Sequence, residues 1–237
     1  MKIRWLHQQS GQDCLLFFAG WGMCPEPFLE IPRGEMDVPD VLTVYDYRRM
    51  DFEENEKSTA DLAEIRRKSY RNLHLLAWSM GVWAASALFA RNALPISELA
   101  SAIAIGGTCH PVHDQLGIPA QNFNDMAEQL SPVRMKAFQR SMFTDEQEAD
   151  RFAASFRKGE RALEDLQQEL LALAAACTKT PAVPDIYTSR IVTGRDRIFP
   201  ARNQVRAWGR RKCRILSLPH FPFYHWPSWS AMLQELA

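Results

Sequence analysis

Short apolar runs alternate with amphipathic stretches along most of the chain. Six runs are rich in Leu, Ile, Val, Ala or Phe and end near a turn residue or a polar group, a pattern typical of strands in a parallel sheet covered on both faces. They cover residues 14–18, 41–45, 73–77, 102–105, 186–192 and 213–217. Helical patterns lie at 58–71, 82–92, 201–210 and 228–235. This alternation predicts an α/β fold with a mostly parallel, doubly wound sheet.

One long stretch departs from this alternation. From residue 112 to residue 179 the pattern is helical and shows no strand, and Thr144 is placed to cap one of its helices. A helical block between two strands of one sheet is typical of an inserted cap. We therefore expect an α/β core formed by residues 1–111 and 180–237, with a small helical cap over residues 112–179 inserted into this single domain.

Composition and charge argue against several classes of protein. The 237 residues suffice for one sizeable core, and 28 basic residues balance 28 acidic ones, which argues against general attraction to nucleic acids or membrane surfaces. No apolar run reaches the roughly 20 residues of a membrane helix, and the first residues lack the apolar stretch of a secretion signal. Five widely spaced cysteines without a C-x-x-C pair are typical of reduced thiols. We expect a cytoplasmic monomer without nucleic-acid or membrane partners.

A serine follows the third predicted strand. In such a sheet, ligands bind just beyond the carboxyl ends of the strands. Ser79 stands there in Ala77-Trp-Ser-Met-Gly81, with a small residue two positions before it and another two positions after it. This spacing predicts a nucleophile elbow, the sharp strand-to-helix turn that exposes a serine. Ala77 stands where the motif has Gly, and taken alone the motif equally suits a serine that caps the following helix.

Two later residues supply the partners that a nucleophilic serine requires. Asp196 follows the run at 186–192 in Val-Thr-Gly-Arg-Asp, and His220 follows the last run in Leu-Pro-His. Serine is a poor nucleophile until an imidazole takes its proton, and a buried carboxylate must orient that imidazole. The order of serine, acid and histidine therefore predicts a catalytic triad. His225 is the alternative base, although it begins the final helical region.

Two backbone amides complete the predicted site. One belongs to Met80, the residue after the serine, and the other to Trp21, in the turn after the first run. Gly20 and Gly22 let that turn approach the site closely. Such donors stabilise a tetrahedral oxyanion, and losing one costs a factor of roughly 10²–10³ in rate.

Other polar residues fit this site less well. Asp185 precedes its strand and would lie at the opposite end of the sheet, whereas Asp46 follows a strand but lies upstream of the serine. His110 and His113, with Asp114, lack the helical spacing and the further ligands of a metal centre, which favours a loop that enters the cap. We expect no metal ligands among these residues.

These motifs resemble those of α/β-hydrolases that serve as pimeloyl-[acyl-carrier protein] methyl ester esterases in biotin synthesis. The stretch LLFFAGWGM is similar to their first strand and turn, and AWSMGVWAA is similar to their elbow. The stretches VTGRDRIFP and PHFPFYHWPS are similar to their acid and histidine segments. Ala19 in place of a histidine, the stretch AIGGTCHPVHDQLGIP and the short cap most resemble the BioG-type branch. The resemblance spans nearly the whole chain and is weaker in the cap.

The resemblance implies an α/β-hydrolase fold and a serine carboxylesterase that cleaves the methyl ester of pimeloyl-acyl carrier protein through an acyl-enzyme. It implies no metal or organic cofactor. The implied roles are nucleophile for Ser79, orienting acid for Asp196, base for His220, and oxyanion donors for the amides of Trp21 and Met80.

An acyl carrier protein as substrate also requires basic residues on the enzyme. Carrier proteins are acidic, so complementary charge is expected near the acyl entrance. The predicted cap offers six basic side chains on its helical patterns, namely Arg134, Lys136, Arg140, Arg151, Arg157 and Lys158. Acidic residues lie among them, so a purely solvent-facing role is the alternative.

Two other functions are compatible with these motifs. A general short-chain carboxylesterase or thioesterase would use the same triad without a carrier. A hydrolase-fold protein that binds a ligand or partner without turnover would need the fold alone. The intact order of serine, acid and histidine favours an enzyme.

Overall fold

A seven-stranded sheet forms the centre of the described part of the molecule. The computed structural model describes residues 1–9, 12–35, 38–50, 70–91 and 99–237. Of the helix predicted over 58–71, only residues 70 and 71 fall within these ranges, and neither is helical. The rest of that helix lies outside the described residues.

The sheet is parallel apart from one edge. Its strands are β1 (Lys2–His7), β2 (Asp13–Phe18), β3 (Asp40–Tyr45), β4 (Asn72–Trp78), β5 (Leu99–Ile105), β6 (Ser189–Thr193) and β7 (Arg214–Leu216). They are ordered β1-β3-β2-β4-β5-β6-β7, and only β1 runs antiparallel to its neighbour. This is the sheet of an α/β-hydrolase, so the predicted fold is confirmed. The carboxyl ends of β2, β4, β6 and β7 carry the predicted site.

Three strands differ from the prediction, and β5 differs only in beginning earlier, at Leu99 rather than at residue 102. β1 is absent from it because Ile3 and Leu6 are buried while the residues around them are partly exposed, as is common on an edge strand. β6 begins at Ser189 rather than at residue 186. The Asp185 carboxylate accepts the Tyr187 amide at 3.2 Å, and the Tyr187 hydroxyl donates to the Val82 carbonyl at 2.5 Å, so this stretch leaves the ladder.

The helices follow the predicted division of the chain. They are α1 (Glu26–Leu29), α2 (Met80–Phe89), α3 (Ala120–Glu128), α4 (Pro132–Ser141), α5 (Glu146–Phe156), α6 (Leu163–Lys179), α7 (Ala201–Trp208) and α8 (Trp229–Leu236), with 3₁₀ turns at Arg157–Gly159 and Phe223–His225. Helices α3 to α6 all lie between β5 and β6. Thr144 does not cap α5, because the Asp145 carboxylate accepts the Glu148 amide at 3.0 Å instead. In the described ranges no helix has the length and apolar character needed to cross a membrane.

An aromatic cluster joins the carboxyl ends of the central strands to the loop after β7. Trp78, at the end of β4, has its ring 5.5 Å from that of Phe221 and 5.3 Å from that of Phe223. Phe17 of β2 lies 5.2 Å from Phe223, and Phe28 of α1 lies 4.8 Å from Phe17. All five side chains are buried. Such edge-to-face pairs orient as well as bury the rings, so this cluster fixes the loop that carries His220.

Candidate active site

Ser79 adopts a backbone conformation that few serines tolerate. It lies between β4 and α2 with φ 57° and ψ −127°, in the left-handed region that favours glycine. Such a residue costs on the order of 1–3 kcal/mol and persists only where its surroundings enforce it. The side chain makes no capping hydrogen bond to α2. The alternative that Ser79 is a helix-capping serine is therefore wrong, and the turn has the form of a nucleophile elbow.

Glycines on both sides make this turn possible. A Cβ atom at Gly81 would lie 2.5 Å from the carbonyl oxygens of Phe18 and Ala19. A Cβ atom at Gly107, after β5, would lie 2.3 Å from the carbonyl oxygen of Ser79. Neither distance is possible for a real side chain, so the elbow requires glycine at both positions. The Ser79 amide donates to the Ile105 carbonyl at 3.1 Å and ties the turn to β5.

Asp196 and His220 form a buried hydrogen bond. The Nδ1 atom of His220 lies 2.7 Å from Oδ2 of Asp196, and the exposed fractions of the two side chains are 2% and 0%. The amides of Ile198 and Phe199 donate to Oδ1 of Asp196 at 2.9 and 2.7 Å. With Nδ1 donating to the carboxylate, the second ring nitrogen is left as a base. His220 and Ser79 line the same cavity.

Three residues that the sequence analysis did not single out hold this pair. The Thr193 hydroxyl donates to Oδ2 of Asp196 at 2.7 Å, and the Gln204 amide group donates to the same oxygen at 3.2 Å. The Trp78 indole donates to the His220 carbonyl at 2.7 Å. Gln204 is fully buried in α7. The sequence could have indicated its role, because a polar side chain on the apolar face of an amphipathic helix needs a buried partner.

The competing residues lie elsewhere. His225 ends the 3₁₀ turn after His220 and lines a separate cavity with Glu148 and Arg195. Asp185 lies before β6 and forms an ion pair with Arg190 at 2.7 Å. The structure therefore groups His220, and neither competitor, with Ser79.

The turn after β2 approaches the elbow at the point expected of an oxyanion hole. A Cβ atom at Gly20 would lie 3.2 Å from Cβ of Ser79, so glycine permits this close approach. Trp21 and Met80 both line the cavity that holds Ser79. Among the described residues, neither of their amides donates to a protein acceptor. Both are thus placed to bind an oxygen of a ligand.

The cavity has a volume of about 210 Å³ and a mainly apolar lining. Its catalytic wall comes from the sheet, and its opposite wall comes from the inserted helices through Phe123, Met126, Phe138 and Leu170. The ring of Phe138 packs 5.2 Å from that of Trp21. A pocket of this kind suits an aliphatic chain with one polar end at the serine.

The basic residues of the inserted segment fall into two groups. Arg134 contacts Gln129, Arg140 forms ion pairs with Glu146 and Asp150, and Arg151 pairs with Glu30 at 3.1 Å. Lys136 and Arg157 line a groove between α4 and the turn after α5, and within the described ranges they form no ion pair, nor does Lys158. Lys136 and Arg157 are therefore the members of the predicted set best placed to meet an external acid.

The histidine pair before α3 serves the loop itself. The amide of Gln115 donates to Nδ1 of His113 at 3.1 Å, and the amide of Ala120 donates to Asp114 at 2.9 Å. No group of three or more metal-binding side chains is brought together in the part of the chain that the structure describes.

Comparison with known proteins identifies relatives over the whole chain. A family model described as pimeloyl-ACP methyl esterase BioG matches residues 1–232. A malonyl-[acyl-carrier protein] O-methyltransferase from Bacteroides fragilis is 33% identical in an alignment of 217 positions that covers 86% of this chain and 40% of that protein. The chain thus spans less than half the length of that relative. An uncharacterized protein from Haemophilus influenzae is 31% identical over 98% of this chain and 99% of its own length.

Solved structures agree with this result. The crystal structure of BioG from Haemophilus influenzae superposes with a TM-score of 0.78 at 28% identity, over 98% of this chain and 99% of that chain. A lipase-esterase related protein from Clostridium acetobutylicum has a TM-score of 0.58 at 12% identity, over 93% of this chain and 92% of its own. The second likeness shows the fold alone.

Replacing Gly81 with alanine should disable the elbow. The added Cβ would clash with two carbonyl oxygens, so the turn must shift, and a misplacement of about 1 Å costs about 10²-fold in rate. The rate of ester hydrolysis measures the loss of activity, and thermal unfolding measures any loss of stability. Gly209→Ala is the control for adding a methyl group without a clash, since no atom lies within 4 Å of the added Cβ, although φ is 81° there. It should cost about 1–2 kcal/mol of stability and leave kcat unchanged. Equal kcat in Gly81→Ala and the native protein would contradict the prediction.

Proposed function

The chain belongs to the BioG family of pimeloyl-ACP methyl esterases, and from this membership we propose that it hydrolyses the methyl ester of a pimeloyl-acyl carrier protein in biotin synthesis. One observation carries the proposal. The buried Asp196–His220 hydrogen bond adjoins the cavity into which the strained Ser79 turn faces.

The first half of the reaction forms an acyl-enzyme. Oγ of Ser79 attacks the ester carbonyl while the free nitrogen of His220 takes its proton, and Asp196 stabilises the imidazolium. The amides of Trp21 and Met80 bind the oxyanion of the tetrahedral intermediate. When this collapses, the bond to the methoxy group breaks and His220 returns the proton, so methanol leaves. An ester then joins Ser79 to the far end of the pimeloyl chain.

The second half of the reaction releases the acid. His220 takes a proton from water, whose oxygen attacks the acyl-enzyme, and the same two amides bind the new oxyanion. Collapse returns the proton to Ser79 and leaves a free carboxylate on the carrier-bound chain. Each proton is accounted for by His220, and the proposed reaction uses no metal and no organic cofactor.

The inserted segment gives the site its acyl pocket. Helices α3, α4 and α6 supply the wall opposite the catalytic residues, which supports the proposal that residues 112–179 act as a cap on a core formed by residues 1–111 and 180–237. The apolar lining suits the methylene chain of a pimeloyl group. One copy of the chain holds every group in the mechanism, in keeping with the monomer that we expect. A cytoplasmic location stays a prediction.

The carrier protein is proposed to dock beside the groove lined by Lys136 and Arg157. An acidic partner gains most from cations that have no carboxylate of their own, because a cation already paired must first give up its partner. Arg140 and Arg151 have carboxylate partners within the enzyme, so we expect them to contribute less than the sequence analysis implied. Among the described residues, the Arg134 guanidinium contacts only the neutral side chain of Gln129 and the carbonyl of Asp125.

Ser79→Ala should reduce turnover by about 10⁴-fold or more, because both half-reactions pass through its oxygen. The measurement is methanol release from pimeloyl-carrier methyl ester, with circular dichroism to confirm folding. Ser86→Ala, in the buried helix α2, is a control that should keep near-native turnover. A folded Ser79→Ala protein that retains turnover would refute the nucleophile assignment.

His220→Ala should cost far more activity than His225→Ala. Only His220 is bonded to Asp196 and lines the cavity of Ser79, so its loss removes the base, a change of about 10⁴-fold or more. We expect His225→Ala to retain most of kcat on the same ester. A larger loss at His225 would reverse the assignment.

Charge reversal at the groove should separate carrier recognition from chemistry. The double variant Lys136→Glu, Arg157→Glu should raise KM for the carrier-bound ester about tenfold or more and leave hydrolysis of p-nitrophenyl acetate unchanged. The reason is that, of the two substrates, only the one on the carrier is anionic. Arg211→Glu, an exposed residue before β7, is the control and should change neither. Equal effects of the double variant on both substrates would favour a general short-chain esterase or thioesterase.

A further inference from the structure

A glutamate of helix α6 is buried against the turn after β2, residues 19–22, which contains Trp21 and is called the oxyanion turn below. Glu169 is 0% exposed and shares the inward face of α6 with Leu166, Leu170 and Leu173. A carboxylate at such a position is costly unless hydrogen bonds and a counter-charge satisfy it. The groups that bind Glu169 must therefore offset the cost of burying it.

Each oxygen of Glu169 accepts a backbone amide from a different strand end. Oε2 accepts the amide of Gly22 at 3.2 Å, in the turn after β2. Oε1 accepts the amide of Tyr47 at 2.9 Å, just beyond β3. The Tyr47 hydroxyl in turn donates to the Ala19 carbonyl at 2.6 Å. Glu169 thus supports the turn containing Trp21 directly from one side and through Tyr47 from the other.

A buried ion network balances the charge of this carboxylate. Nη1 of Arg161 lies 2.7 Å from Oε2 of Glu169, and its Nη2 atom lies 3.1 Å from Asp46. Asp46 also pairs with Arg48 at 2.7 Å and with Lys2 at 3.2 Å. Burial raises the pKa of Glu169, and the charge of Arg161 opposes that rise. Burial would raise the pKa of Asp46 as well, but Arg48 and Arg161 lower it to about 2.

The contacts of the turn leave the Trp21 amide without a protein acceptor among the described residues. The Trp21 indole donates to the Leu166 carbonyl of α6 at 2.9 Å, and the Gly22 amide is taken by Glu169. Ala19 carries no polar side chain that could hold the turn. Gly22 has φ 74°, so the direction of the neighbouring peptide depends on these contacts.

We propose that Glu169 is a positioning residue: by holding the Gly22 and Tyr47 amides from the inserted segment, it fixes the turn so that the Trp21 amide faces the reacting carbonyl. The proposal rests on the esterase function proposed above. It makes the inserted segment part of the catalytic apparatus, because the carboxylate that sets the oxyanion turn comes from α6 rather than from the sheet.

The test compares two substitutions at Glu169 with two controls on the same helix. Glu169→Gln keeps the shape and one acceptor oxygen, so one of the two amides loses its partner. Glu169→Leu keeps the approximate size and removes both acceptors. Glu164→Gln removes an exposed acid from the first turn of α6, and Leu173→Val trims a buried side chain one turn from Glu169.

The substrate is p-nitrophenyl acetate, which bypasses carrier docking. Values of kcat are normalised to the amount of protein that a fluorophosphonate labels at completion, so unfolded protein does not count. We expect kcat to fall about tenfold in Glu169→Gln and about 100-fold in Glu169→Leu, with KM within about threefold of native, because the turn acts in the transition state. Both control variants should keep native kcat, although Leu173→Val should have a lower Tm.

The outcomes separate this proposal from the proposed function. Native protein that neither turns over the ester nor reacts with the fluorophosphonate would refute the esterase function itself. If the native protein is active and Glu169→Gln keeps its kcat within about twofold, the positioning role is wrong. Equal losses in Leu173→Val and Glu169→Gln, or a change confined to KM, would also overturn it, since these indicate general loosening of α6. The Glu169→Gln variant, close to native in shape, decides the question if Glu169→Leu does not fold.

Discussion

The site depends on the left-handed backbone of Ser79. That conformation costs free energy, and the protein retains it by packing Gly81 against the end of β2 and Gly107 against the serine's own carbonyl. The strain turns the side chain out of the path of α2 and towards the cavity. The same close packing brings the turn after β2 beside the serine, so the elbow and the oxyanion turn are two results of one steric arrangement.

Two buried carboxylates, Asp196 and Glu169, accept hydrogen bonds from the groups around the Ser79 turn. Oδ1 of Asp196 accepts two backbone amides, and Oδ2 accepts hydrogen bonds from Thr193, Gln204 and His220. The imidazole of His220 therefore has a single favourable orientation. On the other side of the serine, Glu169 performs a comparable service for the oxyanion turn. Both carboxylates are buried and accept several hydrogen bonds, and donors held in this way are aligned before substrate binds.

Patterns of sequence predicted the elements whose cause is local and missed those whose cause is tertiary. Buried parallel strands are continuous apolar runs, so β2 to β6 could be predicted, and the apolar run at 213–217 indicated β7 although that edge strand is largely exposed. The edge strand β1 could not be predicted, because its two buried residues, Ile3 and Leu6, lie among partly exposed ones. Ser79, Asp196 and His220 follow strand ends in a required order. Glu169 accepts amides that lie 147 and 122 residues away, whereas Thr193 and Gln204 lie only 3 and 8 residues from Asp196. For all three, only a polar side chain at a buried position indicated a role. The sequence also could not show that Arg140 and Arg151 form ion pairs with acids of the enzyme, whereas Lys136 forms none among the described residues.

Trapping the covalent intermediate tests the central claim most directly. The enzyme would be mixed with pimeloyl-carrier methyl ester, quenched in acid within a single turnover, and weighed intact by mass spectrometry. The account predicts an adduct whose mass equals that of enzyme plus acylated carrier less methanol, with the modification located at Ser79 in the digested peptides. Two results together would contradict the account. The ester would be converted to the carboxylate with no adduct at Ser79 at any quench time, and turnover would be undiminished after Ser79 is blocked.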